Sequence, residues 1–407
     1  MDLFLGIDFG TSGARAIAIN SERDIVAQVS VTASSAWDRM LWQLIEGLSI
    51  EVRSRISRIA INGTSSTVLL CDRAGVPITT PLMYNDARGA SVLEKIRAFA
   101  PEQHTVISAT SSLAKLLWWE LNCASFSDAR YFLHQADWLA FQLHGKLDVS
   151  DYHNSLKLGY DVEWLEYPEW LPLKELMPIV LEPGSAIALI QPSIAQEFHI
   201  PPTCQICAGT TDSIAAFIAS QANEIGDAVT SLGSTLVLKL LSDVRVDRAE
   251  FGIYSHRFGD RWLVGGASNT GGAVLQHFFT SDELRELSDR IPNQESPLDY
   301  YPLLQPGDRF PINDPMLAPR IEPRPIDRVE FLHGLLEGMA RIEAQGYQLL
   351  ESLGASPLKR VLTAGGGANN AAWTAMRQRQ IGVSVMRADQ TEAAYGTALL
   401  AMRGLSG

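Results

Sequence analysis

"LGIDFGTSGARAIAI", residues 5–19, reads as two β-strands joined by a tight turn, and its interpretation decides the fold. Apolar residues run up to Asp8, Gly10-Thr11-Ser12-Gly13 makes the bend, and a second beta run follows. A carboxylate therefore stands beside a loop whose backbone N–H groups and hydroxyls attract anions. A hydrated divalent cation reconciles the two, since a carboxylate at a strand end holds such an ion more naturally than it stays unpaired. Taken singly, a hairpin like this is an ordinary turn whose glycines satisfy turn geometry. The form recurs, however, in "AVTSLGSTLVLKLL" (228–241), where Leu232-Gly233-Ser234-Thr235 offers the same donors. Two such loops coincide by chance far less often than one. A third element, the strand "RVLTA" (360–364), runs into Gly365-Gly366-Gly367 and then a helix over Asn370–Gln380. Its glycines allow close approach by a flat ligand or a phosphate, and a helix N-terminus adds positive potential.

Around these motifs the chain alternates strand and helix signals, which predicts an α/β protein. The length of 407 residues suggests two domains. Hydrophobic residues make up 46% and charged residues 19%, enough apolar surface for substantial cores and too few charges for disorder. Lys plus Arg number 33 against 46 Asp plus Glu, a net charge of -13 that argues against a nucleic-acid backbone or an anionic membrane as partner. No long uncharged apolar run is present and the first residues lack a basic n-region, so a cytoplasmic protein is expected. The pair Cys204 and Cys207 in "CQIC" has no second pair to complete a metal set, and on a strand the two point to opposite faces. Buried or edge thiols are expected.

Strand-hairpin-strand is predicted over 2–20, a third strand over Asp24–Val31, a helix over Trp37–Leu48, and strands at "RIAING" (58–63) and "TVLLCD" (67–72). Helical character dominates from Ala90 to Leu143. Pro and Gly punctuation in "HIPPTC" places a boundary near residue 200, giving domains 1–200 and 201–407. The segment 292–328 reads as mostly loop, "LLEGMARIEAQGYQLLESLG" as a helix with Gly354 as its C′ residue, and "TEAAYGTALLAM" as a last helix with Thr391 at its N-cap. Both halves share a hairpin, helix, strand, helix order, as a duplicated unit would. No GxxxxGK[ST] and no GxGxxG occurs, which removes the P-loop and standard dinucleotide readings.

"GIDFGTSGARA", "INGTSST", "AGTTDSIAAF", "SLGST" and "TAGGGANNAAW" fall in the order found in FGGY carbohydrate kinases, which the chain resembles over nearly its whole length. It looks most like the short cyanobacterial and plant kinases related to xylulokinase. The resemblance implies two ribonuclease H-like domains of the actin/hexokinase/Hsp70 type with a nucleotide and sugar cleft between them, ATP and Mg2+ as cofactors, and a monomer or homodimer. It also implies a phosphotransferase acting on a ketopentose, D-ribulose first, with D-xylulose or another polyol as alternatives. Carried over by position, Gly10, Thr11 and Ser12 resemble the first phosphate loop, and Gly233, Ser234 and Thr235 the second. Asp8 resembles the acid that anchors Mg2+ and faces the sugar, and Asp212 in "GTTD" the catalytic base, which a helix start keeps ionised. Gly366, Gly367 and Asn370 match the adenosine site, with Trp373 packing against the base, and Ser65 is placed near the sugar. His153, Asn154 and Lys157 in "SDYHNSLKLGYD" are secondary candidates whose commoner roles are core or surface. The rival from another class is a nucleotide-gated binding or regulatory protein without transfer; Asp212 argues against it.

Overall fold

A computed structural model describes residues 2–405. Two compact units compose it, one formed by residues up to Ala219 together with those from Gln390 onward, the other by Ser220–Asp389. The first 20 residues form β1 (Leu3–Phe9) and β2 (Gly13–Ile19), followed by β3 (Ile25–Thr32), α1 (Trp37–Glu46) and α2 (Ile50–Arg53). Next come β4 (Ile56–Gly63), β5 (Val68–Cys71), α3 (Leu93–Arg97), α4 (Ser112–Asn122), β6 (Tyr131–His134) and α5 (Gln135–His144). The remainder of unit 1 before the crossover is β7 (Val149–Asp151), α6 (Tyr152–Ser155), β8 (Ile179–Leu181), β9 (Ala186–Leu189), α7 (Pro192–Phe198), β10 (Gln205–Cys207), β11 (Thr210–Thr211) and α8 (Asp212–Ala219). Unit 2 holds β12 (Asp227–Leu232), β13 (Leu236–Ser242), β14 (Tyr254–Phe258), β15 (Arg261–Ser268), α9 (Gly272–Phe278) and α10 (Ser281–Ser288). It closes with α11 (Arg328–Ser352), β16 (Arg360–Ala364), α12 (Ala371–Ile381) and β17 (Ser384–Arg387), after which α13 (Ala393–Arg403) belongs again to unit 1.

The boundary expected near residue 200 is corrected. β10 pairs in parallel with β4 (Gln205 with Arg58, Ile206 with Ile59), and β11 pairs with the end of the same strand. The Pro-Pro turn is therefore a loop feeding one sheet, and the chain leaves unit 1 only after α8. The last helix completes unit 1, not the C-terminal half. α13 lies against β1, where a Cβ on Gly6 would stand 2.1 Å from the Ala394 carbonyl oxygen. Its other side meets α8, where a Cβ on Gly396 would stand 1.9 Å from the Ala215 carbonyl. Only glycine permits either approach.

The duplication is visible in the sheets. Unit 1 orders its main strands β3-β2-β1-β4-β10-β9, and unit 2 orders them β14-β15-β13-β12-β16-β17. In each, an antiparallel meander is continued by a parallel strand, and apolar positions on the sheet face helices: Leu5, Ile7 and Ile61 with Leu41 and Leu44 in one, Leu238, Leu240 and Val264 with Leu335 and Met339 in the other. Alternation of strand and helix with buried sheets accounts for these clean cores. Unit 2 also encloses an ion pair: Arg377 on α12 grips Glu343 on α11 through two hydrogen bonds of 2.5 and 2.7 Å and reaches Thr363 at 2.8 Å.

Other departures from expectation are local. The helical stretch 90–143 is interrupted by β6, whose apolar residues merge in sequence with the start of α5. β14 and β17, short strands at the two sheet edges, carry too little periodicity to stand out. Glu392, not Thr391, occupies the N-cap of α13. The segment 292–328 is largely irregular as expected, yet it plugs the unit 2 core with Tyr300, Tyr301 and Phe310.

Candidate active site

In unit 1 the candidate residues gather at the carboxyl ends of parallel strands. Asp8 on β1 stands beside Asn62 on β4 in register, and Thr210 on β11 stands on the other side of Asn62. Asp212 follows at the first position of α8, its Oδ1 accepting the Ser213 N–H at 2.7 Å. Thus two acids far apart in sequence meet: the pKa of Asp8 is pushed up to about 7, by burial first, then by the negative charges of Asp212 and Glu392, with Arg15 and Asn62 opposing. Arg15 lies directly across the hairpin from Asp8 and pairs with Glu392 at the start of α13. Asn62 is fully buried and donates from Nδ2 to Thr397 Oγ1 at 2.6 Å.

Three oxygens here are buried without a hydrogen-bond donor: Asp8 Oδ1, Asn62 Oδ1 and Thr211 Oγ1. Buried acceptors left in this state call for a cation, a proton or a water. No cluster of three or more His, Cys, Asp or Glu able to hold a metal occurs among the described residues. One carboxylate and two neutral oxygens, all hard donors, fit a hydrated hard ion that takes its other ligands from a bound substrate.

The first hairpin turn closes through the Gly10 N–H, which donates to Gly13 O at 3.0 Å; the second, one residue shorter, closes through the Gly233 N–H, which donates to Thr235 O at 3.2 Å. Those two N–H groups are spent on the turns. The free donors are instead the N–H groups of Thr11, Ser12, Ser234 and Thr235, which have no partner among the described residues. α9 braces the second loop, with the Gly272 and Ala273 N–H groups bound to the carbonyls of Gly233 and Ser234.

Within unit 2 the expected nucleotide residues converge. A cavity of about 510 Å³ is lined by Gly233, Ser234, Gly366, Gly367, Asn370 and Trp373, with α10 supplying Arg285 and Ser288 on its far wall. Their roles differ from the sequence expectation. A Cβ on Gly366 would touch nothing within 4 Å, so the fold itself does not need glycine there and the bare backbone faces the cavity. A Cβ on Gly367 would strike the Trp373 ring at 2.6 Å, so that glycine serves packing. Trp373 is only 2% exposed and belongs to the core, which narrows its expected part to a floor beneath Gly367. Asn370 caps α12: its Oδ1 accepts the Trp373 N–H at 3.0 Å and its Nδ2 donates to Ser288 Oγ at 2.8 Å.

Ser65 is half-buried in the turn after β4. His153 and Asn154 are buried: His153 Nδ1 bonds Thr210 Oγ1 at 2.7 Å, and Asn154 donates to Asp151 at 2.6 Å. They shape the strand end that leads into Asp212. Sequence reasoning missed Asn62, whose importance comes from sheet register, and α10, whose Thr280–Glu283 capping box was a readable helix start.

Comparison with known proteins gives the chain a family. Residues 34–219 match the N-terminal domain, and residues 228–405 the C-terminal domain, of the FGGY family of carbohydrate kinases. The chain belongs to that family. A xylulose kinase from Klebsiella pneumoniae is 24% identical over 407 residues, covering 90% of this chain and 82% of its own. A gluconokinase from Bacillus subtilis is 21% identical over 423 residues, covering 91% and 81%. Among solved structures, the ligand-bound xylulose kinase from Lactobacillus acidophilus superposes with a TM-score of 0.85 at 16% identity, over 100% of this chain and 90% of its own. The fold is thus the two-domain kinase fold. No described helix is long and apolar enough to cross a membrane.

Proposed function

We propose that the protein transfers the γ-phosphoryl group of ATP to a hydroxyl of a small ketopentose, with D-ribulose as the acceptor. The observation that carries this reading is the sheet register that sets Asp8, at the end of β1, and Asp212, directly after β11, on either side of the end of β4 in unit 1. Phosphoryl transfer needs held phosphates, neutralised charge and a carboxylate to receive the acceptor's proton. Asp212 takes that proton as the acceptor oxygen bonds to the γ-phosphorus and the bond to ADP breaks. The unpartnered N–H groups of Thr11, Ser12, Ser234 and Thr235 hold phosphate oxygens. The unit 2 cavity takes the nucleoside against Gly366 and Gly367, over the floor made by Trp373 and beside the Asn370 cap. Mg2+, held through Asp8, would supply charge neutralisation at the phosphates. Ser65 meets a hydroxyl of the sugar. D-xylulose is the second reading, favoured by the xylulose kinases among the relatives.

An ATP-consumption assay with D-ribulose, D-xylulose, L-ribulose and glycerol tests the proposal. Fastest turnover with D-ribulose supports it, a preference for D-xylulose moves it to the second reading, and nucleotide binding without turnover of any sugar refutes transfer.

A further inference from the structure

Lys115 lies on α4 among Leu113, Leu116 and Leu117, and it is 0% exposed. A buried ammonium ordinarily pairs with a carboxylate, yet no carboxylate lies within ion-pairing distance of it among the described residues. Its Nζ donates instead to two backbone carbonyls, Ser66 O at 2.7 Å and Met83 O at 2.6 Å. Burial draws its pKa down to about 8 against the pull of Asp86, with Lys157 adding to the fall.

The two carbonyls belong to different segments. Ser66 ends the turn that carries Ser65 and is held at φ 62, a left-handed conformation unfavourable for a residue with a side chain. Met83 introduces the segment Tyr84–Arg88. A second bond joins the same pair of segments, Tyr84 N–H to Thr67 Oγ1 at 2.9 Å. Beyond the joint, Tyr84 is 44% exposed, and Arg88 pairs with Asp86 at 2.8 Å and lies 4.8 Å over the Trp118 ring. A methionine would fill the same apolar space without the desolvation of a charge. What the charge adds is a crosslink between two loops.

We propose that Lys115 is a positioning residue for the acceptor: its ammonium ties the Ser65 turn to the Tyr84–Arg88 segment and so fixes a wall against which the sugar's hydroxyls are placed. This rests on the kinase reading above, with Ser65 on the sugar side.

Lys115→Met is the test, read by separate KM values for the acceptor sugar and for ATP, by thermal melting, and by amide hydrogen exchange. The expected result is a rise of roughly tenfold in acceptor KM with ATP KM unchanged, an unaltered melting temperature, and faster exchange confined to 63–67 and 83–88. Equal rises in both KM values, or unchanged exchange in those two segments, overturn the proposal. Should Lys115→Met fail to fold, Thr67→Val breaks the same joint and must give the same selective rise; a rise shared by ATP overturns it. A wild-type protein that phosphorylates no sugar refutes the kinase reading, and that failure shows before any variant is made, whereas failure of the Lys115 inference shows only in the variants.

Discussion

The two hairpin loops take the same place in their sheets but differ in length, four residues between Phe9 and Ala14 against three between Leu232 and Leu236, and in what surrounds them. Each turn closes through the N–H of its first glycine, and each is followed across the sheet by a parallel strand in matching register. Two residues before that glycine stands Asp8 in unit 1 and Ser231 in unit 2; their parallel partners are Asn62 and Ala364. One copy thus carries an acid and an amide, the other a hydroxyl and a methyl. The units also treat buried acids in opposite ways. Glu343 in unit 2 is neutralised by Arg377, whereas Asp8 in unit 1 keeps an oxygen without a donor. A duplicated scaffold has kept a Gly/Ser/Thr turn in each sheet and changed the residues around it; on the proposed reading, unit 1 supplies the acids for chemistry and unit 2 the surface for the nucleoside.

The sharpest way to break this division is Asp212→Asn. It should lower kcat by roughly 10²–10⁴-fold, the usual range for a lost general base, while nucleotide affinity by calorimetry stays the same. A mutant with near-normal turnover would remove Asp212 from the chemistry. Next in size is Arg377→Met in unit 2, which strands Glu343 in the core. It should cost about 3–5 kcal/mol in urea unfolding, with much of the loss recovered when Glu343 is also made apolar. That recovery is the mark of a structural pair, and no such recovery should follow at Asp212.

Gly366→Ala adds a methyl where the fold leaves space. Melting temperature should hold or rise slightly, because the site has no positive φ and a Cβ there meets nothing. ATP KM should increase several-fold, while Gly367→Ala should instead lower stability by pressing on Trp373. The smallest effect concerns pH. The Asp8 carboxyl titrates at about 7 in the folded chain against an ordinary 3.8, so the native state binds more protons than the unfolded state between those values. Stability measured without divalent metal should therefore fall as pH rises through that window, and Asp8→Asn should reduce the fall. Asp151, raised in the same direction by burial and by Asp137, keeps part of the slope.

Much of the fold was readable because its signals are local. Hairpins with Gly, Ser and Thr turns, the Gly354 stop and the strand running into Gly365 announce themselves within a dozen residues. For the candidate site, the sequence offers residue types and their order along the chain. What was hidden depends on partners distant in sequence. Asn62 matters because sheet register sets it beside Asp8, and "RIAING" contains no hint of that partner. Gly366 and Gly367 look equivalent until their neighbours are known, and Trp373 looks like a stacking platform until its burial is seen. Lys115, set in a leucine-rich helix, has its partners on two distant loops, the carbonyls of Ser66 and Met83, and nothing within its own helix signals them.

The return of α13 to unit 1 has a consequence for biosynthesis. Unit 2 is one continuous run of chain and has all its strands as soon as Asp389 has emerged from the ribosome. Unit 1 begins first, yet β1 and α8 keep a vacant side until residues 393–403 arrive to fill it. The order of completion is thus the reverse of the order of translation, and the acid-bearing half is finished last.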